Sequence, residues 1–446
     1  MNKVIGIVLV SLIACAVGVF PLPAFSEVNE NSWVSKASMQ QARSGLGVAT
    51  VNGRIYAIGG SVLVYQNPLR TESTKVGLNE EYDPATNTWS SKKPMPAACS
   101  DFATAVYAGK IYCISEGKNE VYDPVTDTWE IKTPMPLPQT SAQAHVTDGK
   151  IFVMGGFPNG TLNQVYDPTT DIWTIKASMP IDPIGSSVLV NDKIYAVGSD
   201  LKWRIYNPET DNWSIGPDFP IRTFNVEYMV STTGLMAPER IYVFYNPSDA
   251  PNGFVYANQV YDPASNSWIA GANIPTERSG FSVAVVDDLI YVIGGLKVTY
   301  PNIESWSTGG DLTEYRIVEQ YTPFGYGSVP PAISLASPQN MANFTSTDIP
   351  LNFTINKPTA WISYSLDGKD NVSVTANTTL TGLSAGWHNV TVYAKDMNGN
   401  VGASETITFS VDSTPIQIAA IVLIVCVSAA AVFAASILYY RKKHRG

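Results

Sequence analysis

Three arginines, Arg43, Arg222 and Arg278, hold the same place in separate copies of a repeated pattern, and Glu277 precedes the last of them. Arg43-Ser44-Gly45 and Arg278-Ser279-Gly280 agree over three residues, Arg222-Thr223-Phe224 agrees only at the arginine, and the other copies carry Cys99, Gln139 and roughly Asp182. A guanidinium fork is suited to carboxylates, sulfates and acidic sugars. The same fork can instead brace neighbouring segments through hydrogen bonds. Little else offers chemistry. His145 is the one histidine of residues 27–326, too few for a histidine metal site. No Gly-x-Ser-x-Gly, His-Glu-x-x-His, P-loop or dinucleotide fingerprint stands in a suitable context. Neither catalytic residue, metal nor cofactor is expected, and the Asp-Pro pairs are read as turns.

The elements that position these arginines are hairpins. Gln164-Val165-Tyr166-Asp167-Pro168…Trp173 has counterparts at Tyr82-Asp83-Pro84…Trp89, Tyr122-Asp123-Pro124…Trp129, Tyr206-Asn207-Pro208…Trp213 and Tyr261-Asp262-Pro263…Trp268, with the Trp always seven residues after the Tyr. Asp or Asn opens a type I turn by accepting backbone N–H bonds and Pro presets φ at the next position. Tyr and Trp then face one another on half-buried strands. A second hairpin precedes each unit, turning at Asn52-Gly53, Ala108-Gly109, Asp148-Gly149, Asn191-Asp192 and Asp287-Asp288. Each turn leads to an apolar strand such as Ile55-Tyr56-Ala57-Ile58 or Ile290-Tyr291-Val292-Ile293, a pattern of burial on both faces. Three of these strands end in Gly-Gly, at 59–60, 155–156 and 294–295, suited to a bend or a close backbone approach.

Six units of four strands, roughly 40 to 56 residues apart, predict a six-bladed β-propeller over 27–326. The hydrophobic strand, Gly-Gly, Tyr and Trp together resemble the kelch repeat. The second, fourth and fifth units depart from it, with Ser115-Glu116, Gly198-Ser199 and Tyr245-Asn246 in place of Gly-Gly. The resemblance implies that an arginine at the Arg-Ser-Gly position lies near the channel mouth, where some members bind acidic ligands. Three guanidiniums there would repel one another without a counter-anion or acceptors. Glu277 can neutralise one, so an acidic glycan or acidic peptide is the expected ligand. The copper-radical chemistry of some kelch relatives would need more histidines and a Cys-Tyr pair. The sixth unit lacks its Trp after Tyr321, and the orphan Trp33 supplies it: residues 32–36 should be the last blade's fourth strand, removing the open edges. Alternation of direction puts the long insertions 61–80, 246–258 and 296–318 on the same face as the arginines, and the chain should leave on the other.

Both ends of the chain are apolar. Residues 1–26 read as a signal peptide, with Leu12-Ile13-Ala14-Cys15 as an alternative lipidation site. After Pro330-Pro331, residues 329–412 turn to short Thr-, Val- and Asn-rich strands, an immunoglobulin-like β-sandwich resembling modules of prokaryotic surface proteins, with Trp361 packed in a core that has no disulfide. Residues 416–440 are long enough for a transmembrane helix, about 37 Å against a core of about 30 Å. The basic tail 441–446 then sits in the cytoplasm and the rest outside. Asn159, Asn212, Asn343, Asn352, Asn371, Asn377 and Asn389 head Asn-x-Ser/Thr sequences, candidates for glycosylation. Cys99 and Cys113 are about 17 Å apart by strand register, beyond the disulfide limit of about 7 Å.

Net charge is -10 with a sequence pI of about 4.9, which speaks against nucleic acid. The expected function is a single-pass cell-membrane protein, its ectodomain extracellular, binding a protein or acidic glycan through the outward propeller face, the sandwich acting as stalk. Catalysis is not expected. The alternatives are an extracellular sugar mutarotase or epimerase, an activity known among six-bladed kelch proteins, and a structural envelope component.

Overall fold

The computed structural model describes residues 29–67, 70–220, 223–247, 256–299, 311–412 and 427–437. Strand is the main regular structure, 54% against 3% helix. The first unit pairs Gly47–Val51, Arg54–Ile58, Asn79–Asp83 and Thr88–Lys92 in order as one antiparallel sheet. Units two and three repeat this over 103–131 and 143–175. Units four (183–218) and five (223–271) do the same, joined by a single parallel bridge, Gly185 to Val226. Unit six is made of Ser282–Val286, Leu289–Ile293 and Val318–Thr322, and its outer strand is the N-terminal Ser32–Lys36. There Trp33 faces Tyr321, the pairing that Tyr82 and Trp89 make within unit one.

Local chemistry dictates these hairpins. All five predicted two-residue turns hold both residues at positive φ, from Asn52 and Gly53 at 50° and 72° to Asp287 and Asp288 at 49° and 63°, the twist that suits a tight hairpin. In the Asp-Pro turns the Asp83 carboxylate accepts the Ala85 N–H at 2.9 Å, and Asp123, Asp167, Asn207 and Asp262 repeat the bond. The second strand of each unit is buried on both faces, and Ile55, Ile111, Ile151, Ile194, Ile241 and Ile290 are wholly buried. A Cβ on Gly59 would lie 2.6 Å from the Cys99 carbonyl, and one on Gly294 2.6 Å from that of Arg43. The glycines therefore sit where adjacent units meet backbone to backbone.

The register sets Thr104, not Cys99, opposite Cys113, and both cysteines are free and buried. From Phe324 the chain leaves at the end of the units opposite Arg43. Gly325 donates to Glu30, and Gly327 donates to the Met236 carbonyl at 2.7 Å. The loop carrying Met236 is fixed by Asp288, a fully buried carboxylate. It accepts the backbone N–H groups of Thr233, Leu235, Met236 and Ala237 and the Thr233 hydroxyl, all within 3.0 Å.

Residues 333–411 form two further sheets around one core of Ile349, Leu351, Leu380, Val390, Val392 and Phe409. Phe409, not Trp361, is the fully buried aromatic of that core. Trp361 is only partly buried, its indole N–H 3.3 Å from Ser373 Oγ, because the alternate residues of its strand, Ile362, Tyr364 and Leu366, are the ones that pack against the core. Residues 427–437 are helical and exposed, and no helix among the described residues is long and apolar enough to cross a membrane. Residues 1–26, the tail 441–446 and the remainder of the span 416–440 lie outside the described residues.

Candidate functional site

Arg43 and Arg278 turn inward, not into the mouth. Arg43 is wholly buried and ion-paired to Glu80, and also donates to the carbonyls of Gly59 (3.0 Å), Leu78 (3.3 Å) and Ala57 (3.3 Å). Arg278 pairs with Glu319 at 2.6 Å and donates to the carbonyls of Gly294 (2.7 Å), Thr276 (2.8 Å) and Val292 (3.2 Å). Burial pulls both guanidiniums below the ordinary arginine value, and the facing carboxylates act in the opposite sense. The acceptors that relieve their repulsion are thus internal. Glu277 turns to Lys297, at 2.8 Å, since the fork of Arg278 is already filled. Arg222 lies outside the described residues.

Glu80 and Glu319 each stand two residues before the repeat tyrosine, a position the sequence reading passed over. Unit two has Glu120 there but Cys99 in place of the arginine. Glu120 is buried, takes a backbone bond from Ala97 and leaves Oε2 without a partner, and burial pushes its carboxyl up.

A second missed residue lies five after the tyrosine. Asn87 Oδ1 accepts both the Tyr82 hydroxyl at 2.7 Å and the Ala37 N–H of the preceding unit at 2.8 Å, while Trp89 donates to the Ala37 carbonyl. Asp127, Asp171 and Asp211 repeat this latch on Lys93, Thr133 and Ala177. Asn31, beside the N-terminal strand, makes it on Ala272 for unit six. All five, and Asn266, hold φ between 50° and 58°. The recurring Asn or Asp was visible in the sequence, but nothing there showed that it reaches across to another unit.

The first strands of the six units surround a cavity of about 560 Å³. At its mouth a chain of backbone bonds runs from unit to unit: Ser141 N–H to Asp101 carbonyl (2.7 Å), Asp101 N–H to Gly45 carbonyl (2.8 Å), and Gly45 N–H to Gly280 carbonyl (2.9 Å). Gly280 N–H goes to the Glu227 carboxylate at 2.6 Å. Positive φ at Gly45, Asp101, Ser141 and Gly280, all between 54° and 60°, turns each strand into this ring. Thr104, Gln143, His145 and Ser187 line the cavity below. His145 Nε2 and Ser187 Oγ are 2.7 Å apart, and burial lowers the imidazole to about 4, so it is neutral at pH 7. Burial raises Glu227. Among the described residues no group of three or more His, Cys, Asp or Glu is placed to hold a metal ion.

The rim is uneven. Hairpins Ser61–Asn67 with Arg70–Lys75, from unit one, and Leu296–Thr299 with Asp311–Glu314, from unit six, rise beside the ring through bridges of Ser44 to Ser61 and Ser279 to Leu296. Glu314 ties them together, accepting Ser44 Oγ and the Leu63 N–H, each at 3.0 Å. Unit two has only Glu116-Gly117 at the corresponding place.

A family profile described as "Kelch motif" matches residues 42–96 and 277–308. Units one and six thus carry kelch motifs. They place the chain among all-β, propeller-type proteins. Halomucin of Haloquadratum walsbyi is 35% identical over 118 residues, 25% of this chain and 1% of halomucin. Human Kelch-like protein 35 is 34% identical over 84 residues, 19% of this chain and 13% of that protein. Kelch-like ECH-associated protein 1A of Danio rerio is 32% identical over 93 residues, 21% and 14% of the two chains. The similarity thus spans a small part of each relative's length. A solved structure titled "Structure of YjhT" aligns with 64% of this chain and 99% of its own at a TM-score of 0.48 and 12% identity.

Proposed function

We propose that the chain is a membrane-anchored extracellular binding protein: a six-bladed kelch propeller over 27–326, an Ig-like stalk over 329–412 and a single-pass anchor over 416–440. It engages a partner protein at the mouth. The observation that carries this reading is the asymmetric mouth, a ring over an accessible cavity with two tied hairpins raised on one side. Loops of this kind on a rigid β-scaffold are where recognition concentrates, and kelch-repeat proteins typically mediate protein–protein interaction. Departure of the chain at the opposite end leaves the mouth free to face outward. All seven sequon asparagines are exposed, so glycans on both the propeller and the stalk would fit. The test is a screen of the full chain in nanodiscs against arrays of surface proteins and glycans, repeated with the 62–74 hairpin shortened to a Gly-Gly turn. A protein ligand lost on shortening supports the reading; a ligand indifferent to it sinks it.

A second reading follows from the titratable groups of the cavity, Asp101, His145 and Glu227, which suit acid–base work on a sugar such as mutarotation or epimerisation. Catalysed anomer exchange in free sugars, followed by NMR and lost in His145→Ala, would favour it over binding.

A further inference from the structure

We propose that the mouth cavity receives a positively charged side chain, lysine or arginine, of a partner polypeptide. The inference rests on the mouth being the binding site and reverses the ligand charge that the arginine pattern suggests. An anion is held best by cationic or backbone donors, and those at the mouth are spent. The ring N–H groups of Gly45, Asp101, Ser141 and Gly280 each already have an acceptor, and behind the ring the charges of Arg43 and Arg278 are met by Glu80 and Glu319, with Arg43 Nε, which has no partner, itself buried. No lysine or arginine lines the cavity among the described residues, while two carboxylates, Asp101 and Glu227, do. The rest of its polar lining is hydroxyl, amide and a neutral imidazole, which solvate an ammonium or guanidinium through oxygen acceptors. An incoming cation would favour the charged form of Glu227, which burial disfavours. The net charge of -10 attracts such a ligand at range.

That the cation belongs to a polypeptide follows from the rim. Among the described residues, strand Arg70–Lys75 is paired on one side only, with Ser61–Asn67, in a two-stranded sheet. Its other edge can pair with an extended backbone while a side chain enters the cavity, as in strand addition. A cavity of about 560 Å³ is ample for one long side chain and its waters.

The test uses the full chain in detergent micelles and fluorescein-labelled hexalysine, read by anisotropy, with hexaglutamate, maltohexaose and spermine as comparison probes. Hexalysine should bind, and Asp101→Asn with Glu227→Gln should weaken it by about tenfold or more at an unchanged melting temperature. The amide oxygen that Glu227→Gln introduces can still accept from Gly280, and Asp101→Asn alone, at an exposed position, gives the same direction if the pair is poorly folded. Asp218→Asn, on the outer strand of unit four, should change nothing; an equal loss there would mean a diffuse field and overturn the site. Spermine binding as tightly as hexalysine would overturn the polypeptide assignment. Gln143→Trp, which fills the cavity, separates the remaining failures. Hexaglutamate or maltohexaose binding that Gln143→Trp abolishes overturns the cation while keeping the mouth. If instead no probe binds, or none responds to Gln143→Trp, the mouth reading falls with it.

Discussion

Units six and one carry a buried Arg–Glu pair apiece, whereas unit two keeps the glutamate and has lost the arginine. Each pair lies within its own unit and ties the entry of the first strand to the third strand, Arg43 to Glu80 and Arg278 to Glu319. A buried ion pair adds little net stability but penalises every arrangement that separates its partners. Inside units one and six that penalty fixes where the first strand enters against the third, and in unit two a packed cysteine stands in its place.

The contrast can be broken at several places. Deleting residues 29–36 removes the outer strand of unit six together with Asn31 and Trp33, and cooperative thermal unfolding should be lost, with aggregation on warming. A calorimetric transition like that of the intact chain would refute the closure. Next in size, Arg278→Ala leaves Glu319 buried and alone, which should cost about 3–5 kcal/mol in urea unfolding. Glu120→Gln should be neutral or stabilising by roughly 1 kcal/mol, because its Oε2 has no partner to lose. Equal losses in the two variants would dissolve the distinction. Asn87→Ala removes a bond within unit one and one to the preceding unit, and about 1–3 kcal/mol should follow. Asn266→Ala, whose side chain accepts the Tyr261 hydroxyl alone among the described residues, should cost about half that.

The smallest effect is on pH dependence. Burial raises Glu120 above its unfolded value, so the folded chain holds that proton more tightly. The resulting stabilisation is fully present below the ordinary carboxylate pKa and is lost as pH rises through the folded one. Between about pH 4.5 and neutrality, unfolding free energy should therefore fall slightly more in the parent than in Glu120→Gln. Parallel curves would show that Glu120 titrates like a solvated carboxyl.

Much of the fold was legible because its determinants are local. Asn52-Gly53 and Asp148-Gly149 can hardly do other than turn, and Tyr to Trp at a fixed seven residues sets the register of the outer hairpin. The orphan Trp33 was legible by counting. The site was not, because what decides it is direction. Arg43 and Arg278 recur as a surface-binding pair would, yet the glutamates that draw them inward lie 37 and 41 residues further on. Asn87 and its equivalents recur just as plainly, but their partners belong to another unit. The mouth ring is made of backbone groups, and side-chain identity barely records it. Trp361 misled because an isolated tryptophan in a strand carries no sign of which face it takes.

The strand from which the chain departs, Val318–Thr322, is paired on both sides, with Leu289–Ile293 and with Ser32–Lys36. Tension drawn through residue 323 and beyond therefore cannot peel it away one rung at a time, as it would an outermost ribbon. The load falls along two ladders at once, in shear. The Asp288 knot shares it with the neighbouring unit through Met236 and Gly327. A pull along this strand must break both ladders together.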